Sequence, residues 1–207
     1  MIKNKKVFIL NYGLNNVRSL YAAFIEIGVN PIIVNDWKEI NKSDHLVLPG
    51  VGAFSKGIEN LKKLGYYDEI LNHQEKRRPI LGICLGMQML FEESEEFGNF
   101  TGIGLLKGKV KKLPIQNSMK LPNVGWYSLD IDKQNNLENN INLDTKFYFN
   151  HGYYCKPENN KIILTRSNYG NFEFCSSIRD ELIMGSQFHP EKSSIKGLDF
   201  LKIFIKT

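Results

Sequence analysis

Gly82-Ile83-Cys84-Leu85-Gly86 sets a cysteine between two glycines, in an apolar run that starts at Ile80. A nucleophile on a tight strand-to-helix turn needs such neighbours, because a Cβ at either flanking position crowds the bend. A helix starting at Leu85 aims its positive end at the sulfur and favours thiolate, and the Leu85 N–H can donate to an oxyanion. The plainer alternative is an inert core thiol, the usual fate of a free cysteine. Gln88 weighs against it. This amide lies one helical turn beyond Cys84 in an otherwise apolar stretch, and a buried amide must find partners. A substrate with a carboxamide or amino-acid group supplies them.

A base for this cysteine can be read from Gln187-Phe188-His189-Pro190-Glu191. Residues two apart in an extended segment face the same way, so His189 and Glu191 project together, with Pro190 limiting the backbone between them. A carboxylate beside an imidazole fixes its tautomer and stabilises the imidazolium. A lone His-x-Glu also describes an ordinary surface turn. Of the other histidines, His45 sits at a strand entrance. His73 shares a charged helical stretch with Glu75, Lys76 and Arg77 and is expected in solvent. His151, in a strand over 147–154, is the serious rival. A third segment, Leu48-Pro49-Gly50-Val51-Gly52-Ala53-Phe54, has two glycines around Val51 that let backbone N–H groups turn toward an anion. No Gly-Lys-Ser/Thr follows, so a phosphate loop fits poorly; a plain strand-to-helix turn is the simpler reading.

These segments need elements to hold them. Val7 to Leu10, Pro31 to Val34, Leu46 to Leu48 and Ile80 to Ile83 read as short buried strands. Helical spacing predicts helices from about Asn16, over about 54–64, and from Leu85 to Phe91. Beyond about residue 103, β-rich runs dominate, at 123–131, 146–154, 161–166, 172–178 and 182–188. A last helix over about 194–206 presents Ile195, Leu198, Leu201 and Ile205 on one face. Alternating strands and helices argue an α/β fold of three layers, a mostly parallel central sheet flanked by helices, with antiparallel strands added in the C-terminal half. No linker divides the chain, so residues 1–207 are expected to form one domain. The Asn doublets at 135–136 and 139–140 read as one exposed loop. Lys107, Lys109 and Lys111, with Lys112 beside them, are expected on a solvated strand face.

Composition removes several classes. With 207 residues, 42% hydrophobic and 24% charged, the chain has the balance of a globular protein, and a net charge of +5 demands no nucleic acid. Val7 to Leu10 is too short for a signal peptide, and Ile80 to Phe91 falls short of a membrane span. Three cysteines, Cys84, Cys155 and Cys175, without a Cys-x-x-Cys pair, argue against a disulfide scaffold or a zinc site and fit a reducing cytoplasm.

Taken in order, the glycine loop, the elbow through Gln88 and the Gln187–Lys192 tail resemble the class I, triad-type glutamine amidotransferases. Asn11 to Ser19, Phe91 to Glu96, Tyr148 to Tyr154 and Gln187 to Ser194 are most similar to the subfamily that forms the glutaminase subunits of imidazole glycerol phosphate synthases. The resemblance implies Cys84 as nucleophile, His189 as acid/base and Glu191 as its orienter. It also implies Val51 and Leu85 as oxyanion donors, and Gly52, Gln88, Glu96 and Tyr153 as contacts of glutamine. Without it, Glu96 belongs to a solvated acidic run with Glu92, Glu93 and Glu95, and Tyr153 is a core aromatic.

The resemblance further implies a chain that needs no cofactor and no metal, that acts in histidine biosynthesis, and whose heterodimer partner is a (βα)8-barrel cyclase using the ammonia. Trp126 is the candidate for that interface; a core tryptophan on a strand is the alternative. Four places depart from the family pattern. Asn11 replaces an acidic residue, Asn15 a glycine and Gly152 a serine, while Pro122 to Tyr127 replaces a His-Met-Gly-Trp-Asn run. They leave open a paralogous glutaminase serving a sugar-amidating enzyme. A free-standing cysteine γ-glutamyl hydrolase is a further alternative.

Overall fold

A computed structural model of the chain describes residues 5–14, 16–114, 119–131 and 146–207. The Asn-rich stretch at 135–140 and Asn15 lie outside these residues.

The elements of the first half are β1 (Lys6–Leu10), α1 (Val17–Glu26), β2 (Asn30–Val34), β3 (His45–Leu48), α2 (Phe54–Lys63), α3 (Tyr66–Glu75), β4 (Ile80–Ile83) and α4 (Leu85–Met89). Strands β1 to β4 and helices α1 and α2 stand where the apolar spacing predicts, and α3 is added between α2 and β4. The second half holds β5 (Phe91–Ser94), β6 (Phe100–Thr101), β7 (Leu106–Lys112), β8 (Asn123–Tyr127), β9 (Asp130–Ile131), β10 (Phe147–His151) and β11 (Tyr153–Pro157). β12 (Ile163–Tyr169), β13 (Phe172–Asp180), β14 (Ile183–Ser186) and α5 (Ser194–Ile205) complete it.

An eight-stranded sheet runs in the order β2-β1-β3-β4-β14-β13-β12-β9. From β2 to β14 every pairing is parallel; from β14 to β9 every pairing is antiparallel. The strand period of two sorts side chains onto its faces. Val7, Ile9, Val47, Leu81 and Ile83 pack with Leu20 and Phe24 of α1 and Phe200, Leu201 and Phe204 of α5. Phe8, Leu10, Leu46, Leu48 and Ile80 pack with α2, α3 and α4 on the opposite face. Both faces are covered, which is why these strands read as continuous apolar runs.

Three expectations need correction. The added strands do not all extend the main sheet: among the described residues β11-β7-β5-β6 form a second sheet, and β8 pairs with β10 in a third. α4 stops at Met89, and Phe91 begins a strand. In α5 the buried face is Gly197, Phe200, Leu201, Phe204 and Ile205, while Ile195 points outward at 69% exposure. The aromatic pair fills the space between helix and sheet that the aliphatic set leaves open; truncating Phe204 to Ala should cost about 3–5 kcal/mol. The second sheet explains the lysines and the acidic run together. Lys107 and Lys109 are exposed on β7. Glu93 pairs with Lys109, Glu92 accepts from the Gly108 N–H at 3.0 Å, and Glu95 accepts from the Lys112 N–H at 2.8 Å.

Candidate active site

β4 delivers Cys84 to the end of the parallel strands. The Cys84 N–H donates to the Ser186 carbonyl at 2.7 Å, which prolongs the β4–β14 ladder by one bond, and the helix then begins at Leu85. Cys84 takes φ 53°, a conformation costly for a residue with a Cβ and typical of functional turns. The flanking glycines are sterically required. A Cβ on Gly86 would stand 1.8 Å from the Leu48 carbonyl oxygen, and one on Gly82 2.7 Å from the Met87 backbone. The elbow is therefore pressed against β3 and folded back on its own helix. Its sulfur is nearly buried and donates to the Asn150 carbonyl at 3.8 Å.

β14 delivers His189 and Glu191 to the same end. His189 Nδ1–H donates to Glu191 Oε1 at 2.9 Å, with both side chains buried. The two were expected to align through an extended chain. Instead Pro190–Lys192 forms a 3₁₀ turn, and that turn brings the carboxylate under the ring. Burial disfavours the imidazolium, but the neighbouring Cys84 and the hydrogen bond and charge of Glu191 outweigh it and hold His189 well above its usual range. A cysteine, an imidazole and a buried carboxylate behind the ring are thus gathered at one end of the sheet, the residue types that a nucleophile with a base and an orienting group would need.

The rival histidines are excluded by their surroundings. His151 donates from Nδ1 to the Tyr153 carbonyl at 2.8 Å and accepts at Nε2 from the Asn123 amide at 3.1 Å, so both ring nitrogens are taken. Burial lowers its pKa to about 4. His73 is not in solvent as expected. Tyr66, Glu69, Ile70 and His73 form the buried stripe of α3, and His73 Nε2 bonds the Pro79 carbonyl at 3.1 Å. His45 is buried at the start of β3, edge-on to Phe204.

A pocket of about 130 Å³ opens at the sulfur, lined by Val51, Gly52, Cys84, Leu85, Gln88, Glu96, Asn150, His151, Gly152 and Tyr153. Gly52, Gln88, Glu96 and Tyr153, the expected glutamine contacts, are among them, whereas His189 and Glu191 are not. Its volume is well below the roughly 300–1,000 Å³ of cavities that take drug-sized ligands, which suits an amino acid. A cavity of about 260 Å³ at the other end of the strands, beside Arg77, Arg78 and Glu181, is larger but contains no nucleophile. Glu96 leaves the acidic run here. Its carboxylate accepts from the Phe54 N–H at 2.5 Å, and burial raises its pKa against that bond. Gly52, at φ +103°, turns the loop into the pocket.

The oxyanion donors depart from expectation. The Val51 N–H donates to the Leu14 carbonyl at 2.8 Å, and the Leu85 N–H to the Gly50 carbonyl at 3.4 Å. Backbone N–H groups rarely stay unpaired, and here neighbouring carbonyls of the loops after β1 and β3 take them.

Trp126 is not a core residue. It is 47% exposed on β8 and meets Tyr148 edge-on at 5.7 Å, while Tyr148 packs on His189 at 6.2 Å.

One residue was missed. Gln187 is fully buried, and its amide lies 3.7 Å from Cys84 Sγ. The signal was in the sequence: Gln187 lies two before His189, on the same side of an extended chain.

The chain belongs to the glutamine amidotransferase class-I family, whose profile matches residues 8–206. Two relatives place it more narrowly. A protein of Chlorobium chlorochromatii, named imidazole glycerol phosphate synthase subunit HisH, is 41% identical over 198 residues, covering 96% of this chain and 98% of that one. A protein of Methanococcus maripaludis, named imidazole glycerol phosphate synthase subunit HisH 2, is 42% identical over 202 residues, covering 97% and 98%. The fold is similar to that in the structure of PurLQS from Thermotoga maritima, with a TM-score of 0.73 at 19% identity over 98% of each chain.

Proposed function

We propose that the chain is the glutaminase subunit of an imidazole glycerol phosphate synthase and passes ammonia to a (βα)8-barrel cyclase in histidine biosynthesis. The observation that carries the chemistry is the buried His189–Glu191 pair, brought to the same end of the sheet as a cysteine on a strained elbow that lines an amino-acid-sized pocket. The two relatives, matched over nearly their whole length, support the choice of pathway over a sugar-amidating client or a free-standing hydrolase.

In this reading glutamine enters with its carboxamide at Cys84, and Gln88, Glu96, Gly52 and Tyr153 hold the amino-acid end. His189 takes the thiol proton, the thiolate attacks the side-chain carbonyl, and His189 returns the proton to the leaving ammonia. Water activated by His189 then cleaves the γ-glutamyl thioester and frees glutamate. Glu191 keeps Nδ1 protonated so that Nε2 faces the sulfur. The Leu85 N–H, with its long 3.4 Å bond to Gly50, is freed for the oxyanion with least rearrangement. Val51 serves only if its peptide turns away from Leu14.

Trp126 and Tyr148 continue from His189 to the surface and form the face offered to the synthase. The Cys84→Ala variant, assayed for glutamate release with the cyclase present, should lose activity by roughly 10³-fold or more while keeping its circular dichroism spectrum. Undiminished hydrolysis in that variant would refute the mechanism.

A further inference from the structure

The Gln187 side chain spans two groups that the mechanism uses. Its Nε2 lies 3.7 Å from Cys84 Sγ, and its Oε1 accepts from Gln88 Nε2 at 3.1 Å. The orientation of both amides follows from an anchor. Gln88 Nε2 also meets the Tyr153 carbonyl oxygen at 3.0 Å, which can only accept. That end of Gln88 is therefore NH₂, and its second N–H meets an oxygen of Gln187. The NH₂ of Gln187 must then face the sulfur. A polarised chain runs from the Tyr153 carbonyl through two buried amides to Cys84.

Strand register builds this contact. Ser186 is the parallel partner of Ile83, so the next residue on each strand, Gln187 and Cys84, emerge side by side. The Gln187 N–H is fixed to the Ser176 carbonyl at 2.8 Å. That bond fixes the backbone, and the side-chain amide is held in turn by its bond from Gln88.

We infer that Gln187 is a positioning residue for the nucleophile: its N–H donates to the Cys84 sulfur as negative charge gathers there, and its oxygen holds Gln88 in the pocket. The inference rests on the reading of Cys84 as nucleophile. A fixed donor stabilises thiolate over thiol, and it does so in a buried site where water supplies little. Besides His189 backed by Glu191, and Glu96 and Tyr153 in the same pocket, the titratable groups near Cys84 among the described residues are Tyr12 from the turn after β1, Cys155 of β11 and His151. Burial holds the last three neutral, pushing Tyr12 and Cys155 up and His151 down. The Gln187 dipole thus adds to the His189–Glu191 pair in acting on the sulfur.

The test compares wild type, Gln187→Glu, Gln187→Met and Cys84→Ala, each in complex with the cyclase. Two readouts are taken: iodoacetamide alkylation of the Cys84 peptide against pH, followed by mass spectrometry, and steady-state glutaminase kinetics. Gln187→Glu replaces the donor by a carboxylate of the same shape. Its alkylation midpoint should rise by about one pH unit or more, and kcat should fall at least about tenfold with KM changed less than about threefold. Gln187→Met, which removes the donor without adding charge, should shift the midpoint the same way by less; it also serves if the glutamate variant does not fold. Wild-type alkylation profiles in both variants, with losses confined to KM, would reduce Gln187 to a support for Gln88 and overturn the inference. Glutaminase activity retained in Cys84→Ala would instead remove the reading beneath it, so the two failures are distinguishable.

Discussion

The two ends of the parallel strands both bury histidine, and they do opposite things with it. At the carboxyl ends of β4 and β14, His189 lies between a cysteine and a carboxylate, and both favour its protonated form. At the amino ends of β3 and β4, His45 and His73 sit among backbone carbonyls, Ser43 and the cation of Lys5. Burial is the first cause for both, and each falls from its ordinary 6.5 to about 4. The residue type is the same; the neighbours decide. A histidine with buried acidic partners is held in its protonated form, whereas one without them becomes a neutral hydrogen-bonding core residue.

The contrast can be broken most severely at its carboxylate. Glu191→Gln keeps the shape but removes the charge behind His189. Glutaminase kcat, measured with the cyclase present, should fall by roughly 10²–10⁴-fold, and KM should change little. A variant with wild-type kcat would show that the pairing is structural only.

A second test stays at the same end but leaves the triad alone. Trp126→Ala removes an exposed aromatic and should leave the melting temperature nearly unchanged. It should weaken cyclase binding in titration calorimetry by about 10–100-fold. Unchanged affinity would move the interface elsewhere.

The smallest effect is expected from the amino ends. His45 and His73 are held neutral when folded, so the unfolded chain binds more protons between pH 6.5 and 4. Stability is therefore fully present above pH 6.5 and is lost as the pH falls toward 4. His189 has the reverse sign: its contribution is present at low pH and is lost as the pH rises through its elevated folded value. Denaturant titrations at pH 7.5 and 5 should show a loss of stability in acid, with roughly 1–3 kcal/mol of it absent in His73→Gln. An identical pH slope in that variant would mean that His73 is not the sensor.

These two ends also differ in how legible they were. The elbow, the His189–Glu191 pair and the glycine loop stand out because their geometry is local. A tight turn needs glycine, and an imidazole two residues from a carboxylate can meet it whether the chain is extended or, as here, in a 3₁₀ turn. His73 was misplaced because its charged neighbours Glu75, Lys76 and Arg77 outweighed the helical stripe of Tyr66, Glu69 and Ile70 that carries it inward. Glu96 was obscured in the same way by the acidic residues around it.

By itself the sequence determined most elements of the parallel half and singled out Cys84, His189 and Glu191 as candidates, because apolar periodicity and residue spacing act within a few residues along the chain. Tertiary structure alone decided which distant groups meet. Gln187 reaches Cys84 across 103 residues because β14 joins β4 in parallel register. Val51 and Leu85 bond to Leu14 and Gly50 because the loops after β1 and β3 close over the elbow. Such contacts are set by the alignment of strands against one another, and a one-residue slip in that alignment would undo them without changing any local pattern.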